Sequence, residues 1–243
     1  MTVQFKDLPE EKVAVEYEVD GSKVKLTPTI VQNYIVGSNA KITDQEYKFF
    51  VELCKVRKLN PFTKEVYLIK YDEKQPAQIV VGKDAILKRA ILNKNFNGRQ
   101  QGIIVIRNGE IKELNGTFKA KDDELVGGWA KVYRKDWDHP VYITVSFDEL
   151  KQEKKVYENG KYVGKELNSQ WATKGATMIE KVALVRALRE AFVEDLGGMV
   201  DEAEAWVEPA PRQSKQPVTV QRDALEAQFD EQPVGQEIDL KDL

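Results

Sequence analysis

Between Trp171 and Leu196 apolar residues recur at steps of three and four. Met178, Val182, Val185, Leu188 and Phe192 form one stripe; Ile179, Ala183, Ala187 and Ala191 form a second. The pattern predicts one long helix, apolar around most of its girth and packed against more than one neighbour. Only Gly175 interrupts it, and Gly197-Gly198 supplies the stop.

Upstream, Val13 to Leu26 alternates around Asp20-Gly21, the pattern of a hairpin with a tight turn. Thr27-Pro28 predicts an N-cap and a first helical proline, with a short helix to Val36. Thr43 and Glu46 form a capping box that opens a helix over Asp44 to Arg57, with Tyr47, Phe50, Val51 and Cys54 inward; Asn60-Pro61 ends it. Strands are predicted at Glu65 to Tyr71 and Gln78 to Gly82. A helix follows from Lys83, with Ala85, Ile86, Ile91 and Leu92 facing inward. After a turn at Asn95 to Gly98, four strands read as a meander: Gly102 to Arg107, Ile111 to Phe118, Leu125 to Arg134 and Val141 to Phe147. Asn108-Gly109 gives the first turn and Asp136 to Pro140 the last. Lys151 to Leu167 reads as a loop or weak hairpin around Asn159-Gly160.

Beyond Gly198, Pro209, Pro211, Pro217 and Pro233 punctuate a segment rich in Gln, Glu and Ala. Val207 to about Val220 is expected to be a disordered linker. Ala224 to Phe229 could make a turn or two of helix, and the last residues, EIDLKDL, read either as a floppy end or as a docking peptide. The expected fold is α+β: a strand meander with helices, one of them long and buried, and a disordered acidic C-terminal tail. Residues 1–200 are expected to form the core and residues 201–243 the tail.

Charge changes this picture. The net charge is −3, but residues 201–243 hold eleven acids against four bases, and residues 1–20 hold six against two. That leaves +8 on residues 21–200. A basic middle between acidic ends suits a polyanion binder, and equally a solvated surface with an acidic solubility tail. The long helix carries Lys174, Lys181, Arg186 and Arg189. They are either snorkelling side chains of a core helix or cations aimed by a rigid rod at a phosphate backbone. Rings interleave with cations elsewhere, at Lys64, Tyr67, Tyr71, Arg99, Tyr133, Arg134, Lys135, Trp137 and Trp171, as a single-strand groove requires and as ordinary sheets also show.

Other chemistry is thinly represented. No GxxxxGK[ST] cradle is present, and no cofactor is expected. Gly82-Lys83 opens a helix after a strand, which suits an anion or simply a turn. Asp122-Asp123-Glu124, Asp136 and Asp138 lie in predicted turns, where Asp is favoured for local bonds rather than for metal. His139 beside Trp137 has no nucleophile to serve. One cysteine and one histidine leave no zinc set and no internal disulfide. With no bilayer-length apolar run and no secretion leader in the pattern, a soluble cytoplasmic protein is expected, with no membrane contact.

Four blocks carry a resemblance. They are Leu59-Asn60-Pro61-Phe62-Thr63-Lys64-Glu65-Val66-Tyr67; Val80-Val81-Gly82-Lys83-Asp84 leading to Asn95-Phe96-Asn97-Gly98; Tyr133-Arg134-Lys135-Asp136 with His139-Pro140; and Trp171 with the Met178 to Phe192 helix. In this order the chain resembles the phage single-strand annealing proteins of the RecT/Bet (Redβ) family over about residues 40–200. The resemblance implies an ATP-independent, non-enzymatic binder of single-stranded DNA that anneals the complementary strand in phage recombination. It implies a curved antiparallel sheet packed against helices, self-assembly into rings or helical filaments in the cytoplasm of a bacterial host, and work beside a phage 5′→3′ exonuclease and the host single-strand-binding protein. It points to Lys64 and Arg189 as DNA contacts, with Lys174, Lys181 and Arg186 on the same helix and Trp171 in its block. Lys83, Lys88, Arg89 and Arg134 are added from charge and position. The Bet branch has a dense basic run after its tryptophan; this chain has Lys174-Gly175-Ala176-Thr177. Two rival readings are a DNA-coating replication accessory without annealing activity and a metal-dependent phage nuclease.

Overall fold

The computed structural model describes residues 13–36, 40–70, 73 and 75–201. The expected linker, the helical turns at Ala224 to Phe229 and the terminal peptide lie outside the described residues.

The chain opens with the antiparallel pair β1 (Val15–Val19) and β2 (Ser22–Leu26). Asp20 and Gly21 both take left-handed φ values, 49° and 76°, the backbone of a primed two-residue turn. Helix α1 (Pro28–Ile30) is capped by Thr27, whose Oγ1 accepts from the Ile30 N–H at 3.2 Å, and it runs on as a π-helical turn over Val31–Ile35. Helix α2 (Asp44–Val56) has the predicted capping box, and Tyr47, Phe50, Val51 and Cys54 are its buried residues. The Tyr47 hydroxyl lies 3.0 Å from the Val13 carbonyl and 2.9 Å from that of Leu26, so α2 and the hairpin are tied.

Strands β3 (Val66–Ile69) and β4 (Gln78–Val81) pair antiparallel and lead into α3 (Lys83–Leu92). Here one expectation is corrected. Ala85, Ile86 and Ala90 face inward, whereas Ile91 is 54% and Leu92 72% exposed. At 100° per residue, Ile91 stands about 240° round from Ala85, on the far side of the helix.

The central sheet comprises β5 (Phe96–Arg107), β6 (Glu110–Asn115), β7 (Glu124–Arg134) and β8 (Val141–Ser146), all antiparallel, in the order β6-β5-β7-β8. The expected meander is therefore wrong in its order, because β7 adds to the other edge of β5. The physical reason lies in the strands themselves. β6, EIKELN, is almost wholly exposed and suits an edge; β7, ELVGGWAKVYR, is buried through its middle and needs a neighbour on each side. The crossing loop is closed by Arg107, whose Nε and Nη2 each donate to an Asp123 carboxylate oxygen at 2.7 Å. Two register shifts in the β5–β7 pairing bend the sheet.

After the short helix α4 (Phe147–Leu150), β9 (Glu153–Glu158) and β10 (Lys161–Leu167) form a separate hairpin turned by Asn159 and Gly160. Helix α5 (Ser169–Ala191) then lies across the sheet, with ten of its residues buried. Its backbone touches the sheet directly: a Cβ on Gly128 would fall 2.7 Å from the Ile179 carbonyl oxygen. The predicted helix to Leu196 is shorter than expected. It departs from helical geometry at Lys174 (φ −130°, ψ 30°) and breaks at Phe192 (φ −131°, ψ 52°), before α6 (Val193–Leu196). The break seats the buried Phe192 ring 6.1 Å from that of Phe96. One continuous core joins the hairpin, α2, β3, β4, α3, the sheet and α5.

Candidate nucleic-acid interface

Two of the expected contacts stand in the open. Lys64 follows the 3₁₀ turn Pro61–Thr63 in the left-handed region (φ 63°) and is exposed. Its turn is fixed locally: the Asn60 side chain accepts from the Phe62 N–H at 3.0 Å, and Glu65 Oε2 accepts from the Asn60 N–H at 2.8 Å. Lys174 is exposed at the bend of α5.

Most of the others hold the protein together. Lys83, at the start of α3, has its ammonium 3.5 Å from the buried Glu180 carboxylate on α5. Lys88 donates to Glu65 Oε1 at 2.8 Å and to Asp20, and these two bonds hold its pKa above the ordinary lysine value. Arg89 is half-buried, and burial lowers its pKa. The Arg134 side chain is only 8% exposed. It bonds Asp136 through Nε and Nη2 and Glu194 through Nη1 at 2.8–2.9 Å, donates to the Ala191 carbonyl, and lies 4.7 Å over Trp137 and 5.0 Å over Phe192. Bonds to Asp136 and then Glu194 raise its pKa further. It clamps the end of β7 to the end of α5.

Trp171 is 1% exposed, its ring centroid 5.6 Å from that of Phe147 in an edge-on contact. A base cannot reach that ring. The apolar period of α5 explains the placement, because Trp171 continues the buried stripe into the first turn.

Lys181, Arg189 and, unforeseen in the sequence, Arg57 converge on the chain's exit from α6. Lys181 Nζ lies 2.8 Å from the buried Asp201 carboxylate. Arg189 donates to the Met199 carbonyl at 3.0 Å, and Arg57 donates to those of Asp195 (3.0 Å) and Gly197 (2.7 Å). These are carbonyls at and just beyond a helix C-terminus, where cations are favoured. Val81 N–H adds a bond to the Val200 carbonyl at 2.9 Å. Arg186 and Arg189 also line an open cleft of about 520 Å³ with Ile143 and Thr144 on the outer strand β8.

A ring–cation cluster on the sheet was missed. Lys131 Nζ lies 4.6 Å over its cross-strand partner Tyr142 and 5.3 Å over Trp129, two residues back on the same strand face. The alternation Trp129, Lys131, Tyr133 was its sequence signal. Asp123 and Asp136 are bonded to guanidinium groups, and among the described residues no group of three His, Cys, Asp or Glu is placed to hold a metal. No helix there is long and apolar enough to cross a membrane.

The profile of the RecT family matches residues 24–219. The chain belongs to the RecT family. This RecT-family chain is also 30% identical over 149 residues to the Recombination protein bet of Escherichia phage lambda. That alignment takes in 60% of the chain and 46% of the phage protein, so the chain spans about half the length of that relative. The four sequence blocks all lie inside the family match, and β1 lies before it.

Proposed function

We propose that this chain binds single-stranded DNA and anneals a complementary strand, without ATP, in phage recombination. The observation that carries the reading is the RecT-family match over residues 24–219, supported by the likeness to the lambda recombination protein. Annealing asks for a grip on phosphates that leaves base edges available; cations on rigid elements meet it, because phosphate contacts position a strand without reading sequence. Lys64 and Lys174 are exposed, and Arg186 and Arg189 border an open cleft, so these four carry the proposed backbone contact. Lys83, Lys88 and Arg134 are assigned to the scaffold that holds them, and Lys181 to the latch on Asp201. Arg89 serves only as half-buried background charge. Assembly into rings or filaments, an exonuclease and a host single-strand-binding protein are further parts of the proposal.

The test is an annealing assay with complementary oligonucleotides in the absence of nucleotide. Acceleration of pairing is expected, together with single-strand binding that weakens steeply with salt. Binding without acceleration would leave only a DNA-coating role, and magnesium-dependent release of nucleotides would point to a nuclease.

A further inference from the structure

At the end of β7 a series of stacked groups runs from the core to the surface. Phe192, where α5 breaks, packs its ring 6.1 Å from that of Phe96. The Arg134 guanidinium lies 5.0 Å over Phe192 and 4.7 Å over Trp137. Exposure rises along the series, from 0% at Phe192 to 8% for the Arg134 side chain and 46% at Trp137. The last member is an accessible indole.

The loop that carries this indole, between β7 and β8, is pinned on its approach. The Lys135 N–H donates to the Asn95 carbonyl at 2.8 Å, and Asn95 Nδ2 donates to Asp136 at 3.0 Å. Asp136 also accepts two bonds from Arg134, at 2.9 and 2.8 Å. A ring presented on a fixed support has less freedom to lose when it is covered. The clamp formed by Arg134 does not need the ring. Its Nε and both Nη groups already have acceptors in Asp136, Glu194 and the Ala191 carbonyl. Trp137 adds a cation–π contact and satisfies none of those donors. The clamp therefore accounts for Arg134, but not for a tryptophan left nearly half exposed above it.

The charges at this corner indicate what would cover the ring. Lys94, Lys135 and Arg134 are balanced by Asp136, Asp138 and Glu194, so the corner has no net pull on phosphates. What suits it is a flat, uncharged π-face, and each base of an extended single strand offers one. Cations proposed for the backbone lie on the same stretch of chain. Arg186 and Arg189 share their cleft with Glu190 and Val193, while Arg134 bonds to Ala191 and Glu194.

We propose that Trp137 is a stacking platform for a base of single-stranded DNA, mounted on the Arg134 guanidinium at the end of α5. The α5 cations hold phosphates, and the indole holds a base by its face, without reading its edge. The inference rests on the single-strand-binding function proposed above.

The experiment is a titration of the full chain with an oligothymidylate, followed by tryptophan fluorescence in a Trp206→Phe background. Of the three tryptophans that remain, Trp129 and Trp171 are 4% and 1% exposed, so Trp137 is the one a base can reach. Binding should quench its emission. Trp137→Ala should weaken the single-strand Kd roughly fivefold or more, as loss of one base stack does, with the salt slope unchanged because no phosphate contact is removed. Trp137→Phe should recover part of the loss, whereas Trp137→Leu, apolar but without a π-face, should not. An unchanged Kd for Trp137→Ala, or quenching that survives Trp137→Phe, overturns the platform and leaves the α5 cations standing. Recovery by leucine, or a fall in the salt slope, overturns stacking as well. A wild-type chain that binds no single strand overturns both this proposal and the function beneath it.

Discussion

Glu46 joins three parts of the chain, and removing its charge tests how that junction works. Its carboxylate accepts from the Thr43 N–H at 2.8 Å, from the Ala77 N–H at 2.7 Å and from the Lys70 ammonium at 2.8 and 3.0 Å. Lys70 ends just past β3 and Ala77 just before β4, so one side chain fastens both ends of their connection to the start of α2. Partial burial opposes the charge on Glu46. The bond from Lys70 and those from Thr43 and Ala77 outweigh it and hold the pKa at about 2, against an ordinary value of 4.5. At about 1.36 kcal/mol per pH unit that difference is about 3 kcal/mol. Breaking a buried pair by removing one partner costs about 3–5 kcal/mol, and the slight exposure of Glu46 places it at the low end. Glu46→Gln keeps a residue suited to the capping box, so it isolates the ion pair. Urea unfolding at pH 7 should show a loss of about 3 kcal/mol, a midpoint lower by roughly 1 M for an m value of about 3 kcal/mol/M. The sign with pH follows from the depressed pKa. The stabilisation is present above pH 4.5 and fades as pH falls toward 2, so variant and wild type should converge there. Adding Lys70→Met should recover part of the loss. A variant within about 0.5 kcal/mol of wild type at pH 7 would show that the pair is not what fastens the connection.

Other outcomes can be checked in the same way. Gly128→Ala should destabilise by roughly 1–3 kcal/mol or more in thermal or urea unfolding, since the added methyl meets the Ile179 backbone. Leu184→Ala, fully buried on α5, should cost about 2–5 kcal/mol by the same measurements. Asp123, held at a pKa of about 2 chiefly by the bond from Arg107, stabilises above pH 4 and loses that contribution as pH falls toward 2; Asp123→Asn should flatten the acid limb of a stability–pH curve. Lys64→Ala and Lys174→Ala should each lower the salt slope of single-strand binding by about 0.7 without moving the unfolding midpoint, whereas Lys181→Ala should chiefly lower the midpoint.

Local signals in the sequence translated well. Asp20-Gly21, the Thr27 cap, the Thr43–Glu46 box and the inward face of α2 are all set within a few residues, and the structure has each of them. Strand order was not legible in the same way. Adjacency along the chain suggested a meander, but whether β7 joins β6 or β5 depends on which strand can be left at an edge, a tertiary question. Ile91 misled because hydrophobicity was read without counting its angle round the helix, whereas Leu92, about 20° round from Ala85, is exposed because it is the last residue of that helix. Cations were easy to find and hard to assign. Nothing within ten residues of Lys181 in sequence announces Asp201, and nothing near Arg134 announces Glu194. A long basic side chain selects its partner through the fold, so charge count fixed only how many cations were available. The hairpin at Asn159-Gly160 was visible as a weak pattern, yet the register shift between Tyr162 and Gly164 was not.

Where α5 crosses β7, peptide meets peptide with no side chain as a cushion. Interfaces lined by long side chains can creep by rotamer changes; this one has no such slack. Helix and sheet must therefore travel as a single block. Any adjustment that the proposed annealing would require falls to the joints around that block, chiefly the bend at Lys174 and the base of the β9–β10 hairpin.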